Sequence, residues 1–196
     1  NKSYMKYHNY LENLFGSKVR IKLIRTLYKF RDRSFTLSEL SRYSGVTRQG
    51  IIKVLDDLNG MNVVKLERIG SSIVIKLNRS EFINEILKVY ELEKNTLNNL
   101  MKFINLYFKD KKIISLVLFG SIARGEENFN SDIDLLIITK NKKLASQISE
   151  KCNLEVIAKF GNVLMPYILN KNEFKKSNIR EDVIKNHILI KGEELK

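Results

Sequence analysis

The sequence predicts an α+β protein of two domains joined by a long helix, and three observations lead there. Positive charge gathers at one end: residues 1–80 hold 16 Lys/Arg against 6 Asp/Glu, whereas residues 81–196 hold 19 against 16, within a total of +13. The first 80 residues show short helical periods with capping residues and then two β-rich runs. Beyond residue 110 come two continuous apolar runs of strand length, the second opened by two aspartates. The expected bounds are 1–79 for the first domain, 80–109 for the helix and 110–196 for the second domain.

A chain of 196 residues, 43% hydrophobic and 29% charged, has a globular composition. It is long enough to bury a core without disulfides or metals. Cys152 is the one cysteine, so no intrachain disulfide forms; a reducing cytoplasm is the expected location. Asn1 to Tyr10 lack an apolar run of signal-peptide length. No window reaches 18 uninterrupted apolar residues, so no membrane span and no membrane partner are expected. Two histidines, His8 and His187, with Cys152 do not make a zinc site.

In the N-terminal part, Val19, Leu23, Leu27 and Phe30 recur at helical spacing from Ser17 to about Arg31. Thr36 and Glu39 form a capping box for a short helix ending near Tyr43. Ser44-Gly45-Val46 is a turn. Thr47 then caps a helix running to about Asn59, with Gly60 in the place of a C-cap glycine. Two short helices about a Gly-containing turn fit the helix-turn-helix plan. Val63–Arg68 and Ile73–Leu77, separated by Gly70-Ser71-Ser72, give a hairpin. This order resembles the winged-helix transcription regulators over about residues 11–79. The resemblance implies a double-stranded DNA partner, read by Thr47, Arg48, Gln49 and Lys53, with Arg68 on the wing. Arg and Gln pair with base edges in the major groove, and Thr and Lys meet phosphate. The basic balance agrees with a polyanion partner; a Lys-rich solvated surface accounts for the charge equally well.

From about Ser80 to Lys109, Ile83, Ile86, Leu87, Tyr90, Leu97, Leu100, Met101, Ile104 and Phe108 fall at three- and four-residue steps. This stripe has two readings: a dimerising spacer, which implies a homodimer, or a face packed on the chain's own C-terminal domain.

The chemistry lies further on. Ile113–Phe119 reads as a buried strand, and Gly120-Ser121 follows it; Ser131-Asp132-Ile133-Asp134 opens a second. Gly120 allows close approach of the backbone to a ligand. Ser121 suits a phosphate, and Arg124 adds positive charge one turn on. Asp132 and Asp134 stand two apart on a strand and so project from one face. Two neighbouring carboxylates repel, and a hard divalent cation, Mg²⁺ or Mn²⁺, relieves this. Gly120 to Gly125 looks like the start of a P-loop, but Glu126 stands where that motif needs lysine, which rules out a Walker site.

Gly120-Ser121, ten intervening residues and Asp132-Ile133-Asp134 between apolar positions resemble the signature of the DNA polymerase β-like nucleotidyltransferases. Arg124-Gly125 and Ser131 resemble its minimal branch. The resemblance implies a small mixed sheet with helices on one face, nucleoside triphosphate held by Gly120, Ser121, Arg124 and Ser131, and metal held by Asp132 and Asp134. It also implies a protein acceptor and a third acid on a neighbouring strand. Glu155, within Leu154–Ala158, is the candidate for that acid. It either substitutes for the family's usual aspartate, leaves a domain that binds nucleotide without efficient turnover, or is a solvent residue of an edge strand. The expected function is a DNA-binding regulator carrying a nucleotide-binding or nucleotidyl-transferring domain. The alternatives are a protein-nucleotidylating enzyme recruited by its winged helix, antitoxin-like, and a regulator whose transferase fold is silent.

Overall fold

The structure, a computed structural model, describes residues 9–195; His8 and most of the N-terminal segment weighed above lie outside them. The chain divides into two compact units at Lys94/Asn95.

In the first unit, α1 (Tyr10–Phe15) and α2 (Lys18–Lys29) precede a short strand β1 (Ser34–Thr36), α3 (Leu37–Ser44) and α4 (Arg48–Gly60). The capping box forms as the sequence predicts: the Glu39 N–H donates to the Thr36 hydroxyl, and the Thr36 N–H donates to the Glu39 carboxylate. Thr47 caps α4 by accepting from the Gly50 N–H. Gly60 is the last residue of α4 rather than its cap; the left-handed position falls at Asn62, with φ of 61°. The hairpin is β2 (Val64–Ile69) and β3 (Ser72–Leu77), closed by Gly70-Ser71 with Gly70 at φ 60°. β1 pairs with β3 to give the order β1-β3-β2, a third strand the sequence reading did not find. Three residues, Ser34 to Thr36, are too few to show a period. Leu23, Leu27, Phe35, Leu40, Ile51, Leu55 and Ile75 are buried together, so the helices and the wing share one core. This is the winged-helix topology.

Helix α5 (Glu81–Tyr107) has 27 residues, roughly 40 Å. Ile83, Leu87 and Tyr90 are buried in the core of the first unit, and Leu100 and Ile104 in the core of the second. Most of the stripe that offers a dimer face is therefore buried within the chain, with Ile86, Leu97 and Met101 partly exposed, and the boundary between the units falls inside the helix.

The second unit carries a four-stranded mixed sheet of order β6-β5-β4-β7. Strands β4 (Ile113–Leu118) and β5 (Ile133–Thr139) are antiparallel, β6 (Leu164–Leu169) runs parallel to β5, and β7 (Ile188–Gly192) is antiparallel to β4. The short helix α6 (Gly120–Arg124) follows β4, α7 (Lys142–Phe160) joins β5 to β6, and α8 (Lys171–Lys175) and α9 (Arg180–Lys185) precede β7. Alternation along β5 separates two layers. Ile133, Leu135 and Ile137 are buried with Leu100 and Ile104 of α5 and Cys152 and Val156 of α7. Leu136 and Ile138 are buried with Phe174 of α8 and Val183 of α9. Helices thus cover both faces of the sheet, not one. Pro166 lies within β6, an edge strand, where a missing N–H is tolerated. Among the described residues no helix is long and apolar enough to cross a membrane.

Candidate active site

The site begins where β4 ends. Phe119 is extended, and its N–H donates to the Asp134 carbonyl at 3.1 Å, which ties the turn to β5. Gly120 then adopts φ of 70°. A Cβ there would lie 2.0 Å from Asp134 Oδ2 and 2.9 Å from Asp134 Cγ. The left-handed backbone and the carboxylate against its Cα both require glycine. Ser121, half-buried, follows on α6, and its carbonyl accepts from the Glu126 N–H at 2.9 Å.

Asp132 is exposed and stands just before β5; Asp134 is half-buried on the strand. The Asp134 carboxyl is pushed above its ordinary range, first by burial and then by the charge of Asp132; Arg124 opposes this, and Asp182 adds to it. A carboxyl raised by a neighbouring carboxylate marks two oxygen donors close together, an arrangement that suits a hard divalent cation. Among the described residues no cluster of three or more His, Cys, Asp or Glu could hold a metal.

The Arg124 guanidinium is engaged by two acids. Its Nε donates to Glu126 at 2.9 Å, and Nη1 donates to the two Asp182 oxygens at 3.2 and 3.3 Å. Ser131 accepts from the Asn128 N–H at 2.9 Å and so closes the loop between α6 and β5.

Glu155 requires a correction. Leu154–Ala158 is not a strand but part of α7, a helix of 19 residues, and Glu155 is exposed on it. α7 covers the Ile133/Leu135/Ile137 face, whereas Asp134 shares the alternating face of Leu136 and Ile138. Glu155 therefore lies in the opposite layer, where its charge acts on Tyr107. The neighbouring strand is β6, and its residue in register with Asp134 is Met165; β6 carries no carboxylate at all. The carboxylate whose charge does reach Asp134 from another element is Asp182 of α9, a helix on the same face of the sheet, which the sequence reading did not weigh. Linear sequence carries no signal for a helix returning over a sheet from 48 residues away, beyond the acidic first turn Glu181-Asp182.

In the first unit, Arg48, Gln49 and Lys53 are exposed on α4, and Arg68 is exposed on β2 beside the Gly70 turn. Among the described residues none of Arg48, Lys53 and Arg68 forms a salt bridge in the structure. Thr47 lies beside them with its oxygen used by the cap.

Residues 101–196 match the family model described as Polymerase beta, Nucleotidyltransferase. Two proteins of Methanocaldococcus jannaschii, MJ1379 and MJ1547, have names that contain the term protein adenylyltransferase. The chain is 38% identical to MJ1379 over 81 residues, 39% of this chain and 80% of that protein. It is 31% identical to MJ1547 over 84 residues, 43% of this chain and 60% of that protein. Among solved structures, NolR from Sinorhizobium fredii aligns with 18% identity and a TM-score of 0.35, covering 41% of this chain and 75% of that one. Through its C-terminal part, the chain belongs to the polymerase β nucleotidyltransferase family.

Proposed function

We propose that the chain is a divalent-metal-dependent nucleotidyltransferase that transfers a nucleoside monophosphate, AMP in the simplest case, from a triphosphate to a protein hydroxyl, the α–β phosphoanhydride bond breaking and pyrophosphate leaving. The observation that supports this reading is the closeness of the Gly120 backbone to the Asp134 carboxylate, which brings the turn after β4 beside the acid on β5. The names of the two archaeal relatives support a protein acceptor and adenylate as the group moved.

In this reading the Gly120–Ile122 backbone and the Ser121 hydroxyl hold the triphosphate. Asp132 and Asp134 would hold a metal, Mg²⁺ or Mn²⁺, which would supply neutralisation of phosphate charge and favour displacement at the α-phosphorus. Arg124, held by Asp182 and Glu126 before nucleotide arrives, turns to the phosphates when they replace those acids. Asp182, then released on the Asp134 face, is the acid placed to accept the proton of the attacking hydroxyl. The exposed Arg48, Gln49, Lys53 and Arg68, with Thr47, bring the enzyme to double-stranded DNA.

A second reading has its own observation: with Met165 beside Asp134, β6 offers no carboxylate. The domain is then a nucleotide sensor on a DNA-binding regulator. Transfer of label from α-³²P-ATP to protein, with Mg²⁺ or Mn²⁺ in wild type and in Asp134→Asn, tests the two. Label lost in Asp134→Asn supports the enzyme. Metal-dependent ATP binding without label supports the sensor, and no ATP binding at all sinks both.

A further inference from the structure

Three exposed apolar side chains stand in a row beside the paired acids. In the register of the parallel β5/β6 pair, Met165 lies next to Asp134 and Tyr167 next to Leu136, so both share the Asp134 face of the sheet. Val163, just ahead of β6, continues the alternation, and its carbonyl accepts from the Ile133 N–H at 2.8 Å. Val163 and Met165 are each 42% exposed and Tyr167 38%. Spaced two residues apart, the three span about 13 Å. Contiguous exposed apolar side chains mark interaction sites. We propose that this row docks the acceptor protein, holding an apolar segment next to the hydroxyl that receives the nucleotidyl group. The inference rests on the transferase reading above and adds the acceptor's chemistry to it.

Position argues for the acceptor. Strand β5 lies between β6 and β4. On the β4 side, the Gly120 backbone abuts the Asp134 carboxylate, and α6 follows with Ser121 and Arg124. In the proposed reaction that side holds the triphosphate. The attacking and leaving oxygens of a phosphoryl-type transfer stand roughly in line across the phosphorus. With pyrophosphate leaving on the α6 side, the hydroxyl enters from the β6 side, over Met165.

The row's chemistry argues for a protein. Strand β6 reads Leu-Met-Pro-Tyr-Ile-Leu and carries no charge. A nucleic-acid acceptor brings phosphates that would meet no cation along it, whereas apolar side chains cover it well. Phe119, itself buried, meets the Tyr167 ring edge-on with centroids 5.1 Å apart, which steadies that ring as an aromatic surface. Asn162 donates to the Ser131 carbonyl at 3.0 Å and ties the start of β6 to the loop of Phe129, a fully exposed ring. The strand's own backbone is a poor template for pairing. The Leu164 N–H is taken by Asn153 Oδ1 at 2.7 Å, and Pro166 has no N–H. The segment is therefore held by side chains and not by strand addition.

The probes are two fluorescein-labelled dodecapeptides with one central serine and identical termini. One has Leu, Val and Phe around the serine; the other has Gly and Gln. Each is titrated into the full chain with Mg²⁺ and α,β-methylene-ATP and followed by anisotropy. The apolar peptide is expected to bind saturably, at least about tenfold tighter than the polar one. Met165→Gln with Tyr167→Gln, both on exposed positions, should weaken it about tenfold or more, with helical dichroism and Mg-ATP affinity unchanged. Leu154→Gln, exposed on α7 in the opposite layer, should leave it unchanged. With α-³²P-ATP, the double variant should raise KM for the apolar peptide and keep kcat. Equal binding of the two peptides, or indifference to the double variant, overturns the proposal. Loss of Mg-ATP affinity in the double variant also overturns it, since the row then serves the nucleotide. So does a wild-type dimer that the double variant dissolves, since the row then faces a second copy. Row-dependent peptide binding by a protein that transfers no label sinks the transferase reading and keeps the docking surface; label transfer indifferent to the row does the reverse.

Discussion

The Asp134 carboxylate occupies the space that a side chain on Gly120 would fill: a Cβ at Gly120 would meet Asp134 Oδ2 at 2.0 Å. The turn after β4 and the acid on β5 are therefore packed against each other, and a side chain at Gly120 would force Asp134 to move. Gly120→Ala places a Cβ in a left-handed conformation, costing about 1–2 kcal/mol before the clash is counted. Urea melts are expected to show at least that loss. In an Asp134→Ala background the clashing atoms are gone, so the cost of Gly120→Ala falls toward the backbone value alone. Additive costs in the double mutant would disprove the contact.

Asp134→Asn separates stability from function. Burial and Asp132 both disfavour the charged form of Asp134, so the neutral amide relieves the metal-free protein while removing a ligand for the cation. Its thermal midpoint without metal is expected to equal or exceed that of wild type. Calorimetry with Mg-ATP is expected to show binding reduced by at least about a hundredfold, the scale of 2.7 kcal/mol. A destabilised variant that still binds Mg-ATP would contradict this placement of charge.

Arg124 and Asp182 make opposite predictions for nucleotide affinity. Arg124→Gln deletes a group that meets phosphate and weakens Mg-ATP about tenfold, near 1.4 kcal/mol. Asp182→Asn removes a competitor for Arg124 and a negative charge that reaches Asp134; it tightens Mg-ATP severalfold while lowering the rate of label transfer. If both substitutions weaken binding alike, Asp182 positions Arg124 for the nucleotide instead of competing for it.

For DNA, Arg48→Ala and Lys53→Ala are each expected to lower affinity for duplex DNA. The slope of log affinity against log salt drops by about one for each phosphate that the variant leaves without a cation. Fluorescence anisotropy across a salt series reads both quantities. Unchanged affinity in the two variants would move the DNA-binding surface away from α4.

How much of this was legible in the sequence follows from the range of the interactions involved. The Thr36/Glu39 box and the Thr47 cap act over three residues, so local reading found them; Gly120, Ser121, Asp132 and Asp134 lie on one strand–turn–strand unit, so local reading also reached their placement at the ends of β4 and β5. Glu155 misled because Leu154-Glu155-Val156 alternates like a strand, while the helix around it is weakly amphipathic: α7 buries only Ala145, Ser149, Cys152 and Val156. Strand β6 was hidden by Pro166 and by its exposed Met165 and Tyr167. Asp182 was out of reach because only the folding of α9 over the sheet brings it to Arg124.

The same local cap gives a pH dependence. Glu39 is held below its ordinary range, first by the Thr36 backbone N–H, then by the Thr36 hydroxyl and Arg33. A lowered carboxyl stabilises the fold above the unfolded pKa, about 4.3 for glutamate, and that contribution is lost as pH falls through the lower folded value. Glu39→Gln should therefore lower the thermal midpoint at pH 7, by an amount that shrinks as pH falls below about 4.3 and on through the lower folded value. Thr36→Ala, which removes the N-cap oxygen, costs about 1 kcal/mol.

Cys152 reports on the second unit's core. It is fully buried on α7 against the sheet, and burial pushes its thiol up to about 12. Even if reagent reached it at pH 8, only about one thiol in ten thousand would be the reactive thiolate. Modification by a disulfide reagent such as DTNB must therefore wait for opening of α7. In native buffer the single thiol is expected to stay silent over hours. In urea its labelling rate should rise together with the loss of helical dichroism. Because Val156 and Ile133 are buried in the same cluster, Val156→Ala opens a cavity there and is expected to speed labelling in native buffer. An equivalent truncation in the other unit, Leu27→Ala, leaves labelling slow if the two cores open independently. Rapid labelling of the wild-type protein at pH 8 would mean that α7 does not seal the Ile133/Leu135/Ile137 face. The separation of Glu155 from Asp134 would then lose its structural basis.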